Sequence, residues 1–155
     1  MTDYDLDASA LVKRYVNEVG SAWIRQITDP TAQNTVLLAE ITLAEVAAAL
    51  AAQCRAPGGI TQEQRDRALS RFLQDCDEHF LLLPVDRPVI DRAVELTQNH
   101  RLRGYDAVQL ATALVTNEIL QAQNLLSLVF VAADNDLLNA AEAEQFPVDN
   151  PLDHP

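Results

Sequence analysis

Lysine is nearly missing from this chain: Lys13 is the only one among 155 residues, and neither lysine nor arginine follows Arg103. That scarcity excludes two phosphate chemistries that the pair Asp5 and Asp7 would otherwise suggest. A phosphatase of the haloacid-dehalogenase kind needs a long apolar strand ahead of its aspartate pair and a lysine far downstream, and a phosphoacceptor receiver domain needs the late lysine as well. Only four residues precede Asp5, and Lys13 lies too early to serve.

Cysteine and histidine are scarce too. Cys54 and Cys76 fall in stretches of helical pattern, and neither forms a close pair with histidines at zinc spacing; a reduced state is expected. His79, His100 and His154 share no spacing that suggests a metal site or a triad. No apolar run is long enough to span a bilayer, and the opening Met1-Thr2-Asp3-Tyr4-Asp5 has neither the basic nor the apolar part of a secretory signal. The expectation is a cytoplasmic protein with no membrane segment.

Positive charge is short overall. The net charge is −12, which argues against a protein that grips nucleic acid through a broad basic surface. Residues 1–103 hold all 11 basic residues against 15 acids, net −4, while residues 104–155 hold eight acids and no base, net −8. Phosphate contacts must therefore come from the first two-thirds.

What the chain does have is a core. With 155 residues, 48% hydrophobic and 22% charged, it fits one globular domain that buries about two-thirds of the surface its unfolded form exposes. Extended, apolar segments are expected at Tyr4–Asp7, Thr35–Leu38, Phe80–Leu83 and Leu128–Ala132, with an edge strand at Phe146–Val148. Helical periodicity marks segments after Asp7, from Ser21 to Ile27, Thr42 to Gln53, Thr61 to about Glu78, Val89 to about His100, Asp106 to Val115, and Leu137 to about Glu144. Strands alternating with helices imply a parallel sheet covered on both faces. Trp23, beside Ile24 and Ile27, is expected in the core.

Four acids stand in unusual places. Asp7 ends the first strand, Glu45 is the only charge between Ile41 and Cys54, Asp106 the only one between Gly104 and Asn117, and Asp134 follows the most apolar strand. A carboxylate isolated in an apolar segment is costly to bury unless it is paired, hydrogen-bonded or metal-bound. Helix capping accounts for each acid alone: Asp7, Asp134 or Asp136 as N-caps, Thr42-Leu43-Ala44-Glu45 as a capping box, and Asp106-Ala107-Val108-Gln109 in nearly the same form. Capping and chemistry stop competing in a parallel sheet, because the strand ends and the helix starts after them form the ligand crevice, and all four acids map to that edge. Convergent carboxylates raise one another's pKa unless a cation holds them ionised. Carboxylate and water ligands favour magnesium or manganese, which assist phosphodiester hydrolysis.

The segment Tyr4-Asp5-Leu6-Asp7-Ala8-Ser9-Ala10-Leu11-Val12-Lys13 resembles the opening of PIN-domain proteins of the VapC toxin type. Three further segments agree in order and spacing: Thr42-Leu43-Ala44-Glu45-Val46, then Arg103 to Ala111, then Phe130 to Leu138. The resemblance implies an α/β fold, a PIN-like three-layer α/β/α sandwich with a central, mainly parallel sheet; the domain is expected over residues 1–148, and only the last seven residues, 149–155, look like a C-terminal tail. It implies a metal-dependent endoribonuclease that hydrolyses RNA phosphodiester bonds with Mg2+ or Mn2+, acting as the toxin of a type II toxin-antitoxin pair. A homodimer and a small antitoxin protein are the implied partners. By position, Asp7, Glu45, Asp106 and Asp134 are the acidic, metal-binding quartet, and Ser9 matches the hydroxyl residue that supports the first aspartate. Ala8 stands where threonine is common, and Asp136 is an extra acid that either shares the site or caps the helix.

Among the cations, Lys13, Arg14, Arg101 and Arg103 flank these acids and are candidates for phosphate contact, against a solvated helix face as the alternative. Arg55, Arg65, Arg67 and Arg71 are expected to pair with Glu63, Asp66 and Asp75. The rival function is a PIN-like binding or regulatory module with little or no nuclease activity, which the acidity favours and the intact quartet opposes.

Overall fold

Alternation along the strands decides which helices cover which face. In β1 (Asp3–Leu6), β2 (Thr35–Ala39) and β4 (Val129–Val131), Leu6, Val36, Leu38 and Val131 point into one core, while Leu37 and Phe130 point into the other. With β3 (Leu81–Leu83) and β5 (Val148–Asp149) these strands form a sheet ordered β3-β2-β1-β4-β5, parallel throughout. The structure, a computed structural model, describes residues 1–125 and 127–155.

The first face is covered by α1 (Ala8–Leu11), α2 (Ser21–Ile27), α3 (Thr42–Arg55) and α4 (Gln62–Glu78), whose Leu11, Ile24, Leu50 and Phe72 fill its core. The second is covered by α5 (Arg87–Asn99), α6 (Gly104–Ala122) and α7 (Asn135–Ala143), through Val89, Leu96, Leu110 and Leu137. This is a three-layer α/β/α sandwich around a parallel sheet.

Strong local signals set the helix starts. Thr61 and Gln64 form a reciprocal capping box on α4, and Asp86 caps α5 ahead of Pro88 in its first turn. Helix α6 runs to Ala122, well beyond Val115, because its polar later turns still make a tertiary contact: the Asn117 side chain is buried and accepts the Leu128 N–H at 3.0 Å, fixing the entry to β4.

Residues 149–155, expected as a C-terminal tail, pack against the rest of the chain. Asp149 belongs to β5, Pro151–Asp153 form a 3-10 turn, and the His154 ring stacks on Trp23 with centroids 4.1 Å apart. Gly20, at φ 84°, lies so close to this turn that a Cβ there would sit 2.2 Å from the Pro151 carbonyl oxygen. Trp23 is accordingly half-buried between Tyr4 and His154 instead of lying in the core.

Candidate active site

The strand order reverses between β1 and β4: the chain leaves β1 into a helix on one face and leaves β4 into a helix on the other. Such a switch point opens a crevice at the carboxyl ends of the two strands. Asp7 and Asp134 stand there, one after each strand. Both are N-caps: Asp7 accepts the Ser9 N–H at 3.0 Å, and Asp134 accepts the Leu137 N–H at 2.9 Å. Ser9 ties the two loops together, donating its hydroxyl to Asp7 while its Oγ accepts the Ala133 N–H at 2.9 Å.

Glu45 and Asp106 are not caps of the expected kind. Helix α3 has no side-chain N-cap, and the Thr42 hydroxyl engages Gln109 rather than closing a capping box with Glu45. Gln109, fully buried on α6, donates to the Glu45 carboxylate and lies 2.8 Å from the Thr42 oxygen. It therefore points inward, not back to the start of its own helix. Gln109 is a residue that the sequence reading missed as a site residue; the available signal was an amide in an otherwise apolar stretch of α6.

Glu45, Asp106, Asp134 and Asp136 line one crevice of about 630 Å³, with Arg101, Arg103, His100 and Tyr105 along the same walls. Asp7, 5% exposed, is not among the residues lining it, though its charge acts on Glu45 and that of Asp106 acts on it. Burial pushes the Asp7 carboxyl up; the Ser9 hydrogen bonds oppose this and the Asp106 charge adds to it. Burial also raises Glu45, against the Gln109 hydrogen bond and with the charges of Asp7 and Asp106. Asp106 is raised by partial burial and then by Asp134, with the Arg103 guanidinium opposing and Asp136 adding. Burial thus raises Asp7, Glu45 and Asp106 alike, and a neighbouring carboxylate adds to each.

Two residues before Asp7 lies an acid that the sequence reading did not single out. Asp5 is 0% exposed, neither carboxyl oxygen has a hydrogen-bond partner, and its strand neighbours are Leu37 and Phe130 of the apolar core. Burial, then the Asp7 charge, raises its pKa well above the ordinary carboxylate range. No sequence signal separates a buried Asp5 from a solvated one in so short a strand.

The remaining candidates divide. Arg101 and Arg103 are exposed on the crevice wall, and Asp136 joins it as an exposed acid in the first turn of α7. Lys13 is buried and paired with Glu18 at 3.0 Å, and Arg14 is held by Asp75 and Thr28. Neither lines the crevice, so the expected phosphate contact from Lys13 is replaced by an internal ion pair. Arg65, Arg67 and Arg71 pair with Asp66, Glu63 and Asp75.

Among the described residues no three acidic, histidine or cysteine side chains close on a common point as a coordinated ion requires. The donor set nevertheless fits a hard divalent cation: oxygen donors only, mutually repelling, each of three held above its ordinary pKa and so short of positive charge. Asp7, Glu45, Asp106 and Asp134 are the side chains that would hold it.

Comparison with known proteins agrees with this fold. The family model of the PIN domain matches residues 4–143. Among solved structures the chain is similar to a toxin-antitoxin complex from Klebsiella pneumoniae, at 19% identity and a TM-score of 0.57, covering 96% of this chain and 97% of that one. It is also similar to VapC20 of Mycobacterium tuberculosis, described as a sarcin-ricin loop cleaving toxin, at 14% identity and a TM-score of 0.59, covering 88% and 94%. A third likeness is VapBC2 from Rickettsia felis bound to a promoter DNA fragment, at 14% identity and a TM-score of 0.60, covering 96% and 98%. At these identities the likeness is one of fold. Among curated proteins none matches the sequence.

Proposed function

The chain belongs to the PIN domain family, and on that premise we propose that it is a metal-dependent endoribonuclease, the toxin of a toxin-antitoxin pair. The observation that carries this reading is the convergence of Glu45, Asp106 and Asp134 on one crevice, with Asp7 buried and coupled by charge to Glu45 and Asp106, at the switch point of the sheet. Asp7, Glu45, Asp106 and Asp134 would hold Mg2+ or Mn2+, which when bound would supply Lewis acidity and offset charge on the phosphodiester.

The protein's own groups do the positioning. Ser9 fixes Asp7 and joins it to the Asp134 loop, and Gln109 fixes Glu45. Arg101 and Arg103 face the same crevice and bind the phosphates on either side of the bond to be cut. Asp136 adds negative charge at its outer edge.

Partners follow from the same reading: RNA as substrate, a small antitoxin protein, and a second copy of the chain in the cytoplasm. Ile90 and Val94, exposed one turn apart on α5, offer apolar surface for a protein partner. The test is cleavage of a mixed RNA pool by purified protein with magnesium, with manganese and with chelator, beside Asp106→Asn. Cutting that needs the metal and is lost in the variant supports the nuclease; no cutting by folded, partner-free protein moves the reading to a binding or regulatory module.

A further inference from the structure

The chain has three tyrosines, and two of them are packed: Tyr4 against Trp23, and Tyr15 against Phe72 with its hydroxyl on Asp75. The third, Tyr105, is 68% exposed in the first turn of α6, directly before Asp106, and lines the carboxylate crevice between the arginine-bearing segment and the acids. Among the described residues its ring is within stacking distance of no other aromatic ring. Later residues of the same helix, Ala107 and Gln109 to Leu114, are buried, whereas the Tyr105 ring faces solvent beside the candidate chemistry.

Charge makes this position matter. A protein of net charge −12 cannot hold RNA by neutralising many phosphates, and the permanent cations on this crevice are Arg101 and Arg103. A nucleobase stacked on an aromatic ring gains affinity that owes little to charge, and every unpaired base has such a face.

We propose that Tyr105 is a base-stacking platform: an unpaired nucleobase beside the scissile phosphate lies on its ring while Arg101 and Arg103 take the adjoining phosphates, so the enzyme selects unpaired RNA by stacking more than by charge. The inference rests on the nuclease reading above and adds to it a residue that sets substrate choice.

The test uses the full chain in chelator, so that nothing is cut, with short single-stranded oligoribonucleotides carrying 2-aminopurine at each position in turn. One position is quenched on binding. Tyr105→Ala removes that quench and weakens binding roughly 5- to 150-fold, the range expected of one base-aromatic stack, while Tyr105→Phe keeps both. With two arginines on the phosphates, the logarithm of affinity falls against the logarithm of salt with a slope of only about −1.4. In magnesium, Tyr105→Ala raises KM and shifts the distribution of cut sites. If the unaltered protein cuts RNA but Tyr105→Ala changes neither quench, KM nor cut sites, the platform is wrong and the nuclease stands. If the unaltered protein neither binds nor cuts, both readings fall.

Discussion

Gln109 reaches Glu45 across a sequence separation of 64 residues and donates its side-chain amide to that carboxylate, joining the second and third acidic segments through the core. The same amide engages Thr42, so a single buried side chain positions the start of α3 against α6. Gln109→Leu leaves the Thr42 hydroxyl and the Glu45 carboxylate without their donor. The expected cost is roughly 1–3 kcal/mol of stability, with divalent-metal affinity falling roughly 10- to 100-fold. Denaturant unfolding and metal titration by calorimetry check the two parts separately; metal affinity equal to that of the unaltered protein would show that Gln109 does not orient Glu45.

Asp5 is the group whose replacement should make the protein more stable. Its carboxyl lies between Leu37 and Phe130 with no hydrogen-bond partner, and burial raises its pKa well above the ordinary range. Asp5→Val puts a β-branched apolar residue in mid-strand and removes the unpaired polar group, a gain of roughly 1–3 kcal/mol. A raised folded pKa means that the folded state holds its proton more tightly than the unfolded chain. Stability from this group is fully present below the ordinary carboxylate pKa and is lost as pH rises through the raised value. Metal-free protein is therefore expected to be more stable at pH 5 than at pH 7.5, and Asp5→Val narrows that gap. A midpoint of unfolding at pH 7.5 that stays put or falls in the variant would sink the argument.

Legibility in the sequence followed the range of each interaction. The strand segments and the helix starts at Thr61 and Asp134 rest on local pattern and chain order, and these were readable. Gln109 and Asp5 were not, because their meaning comes from partners more than 60 residues away or from the lack of any partner. For Lys13, phosphate contact and a solvated helix face were both open from the sequence; its partner Glu18 lies five residues on, beyond the turn where the short first helix ends. The stacking of His154 on Trp23 and the close approach of Gly20 to Pro151 depend on tertiary contacts that local sequence pattern does not record.

The raised carboxyls give the cation a double signature. Asp7, Glu45 and Asp106 are all held above their ordinary pKa by burial and by neighbouring carboxylates, so in metal-free protein their stability contribution is lost as pH rises through those raised values. A divalent ion binds the ionised forms and competes with protons, so its stabilisation is larger at pH 7.5 than at pH 5. At a concentration 100 times its dissociation constant the gain is about 2.7 kcal/mol. Asp106→Asn removes one repelling charge, and is expected to raise Tm without metal at pH 7.5 while shrinking the increment from Mg2+ or Mn2+. Thermal unfolding with and without each ion at the two pH values reads all of this; an equal increment in Asp106→Asn would remove Asp106 from the ligand set.

Asp75 separates a buried ion pair from the decorative ones on the same helix. Its carboxylate, 1% exposed, accepts from Arg14 Nε at 2.9 Å, from the Tyr15 hydroxyl at 2.8 Å and from Arg71 Nε at 3.1 Å, clamping α4 to the segment that follows Asp7 and α1. Asp75→Ala strands the half-buried Arg14 guanidinium without its counter-charge, and removing one partner of a buried pair costs roughly 3–5 kcal/mol. Arg67→Ala, on the same helix, breaks only an exposed pair with Glu63 and should cost about 0.2–1 kcal/mol. Since Phe72 and Cys76 of α4 share a core with Leu6 and Leu11, on either side of Asp7, Asp75→Ala is also expected to raise the protease sensitivity of the first 30 residues at temperatures where Arg67→Ala leaves it unchanged. Comparable losses in the two variants would mean that Asp75 is no clamp, and that Phe72 and Cys76 hold α4 in place by apolar packing alone.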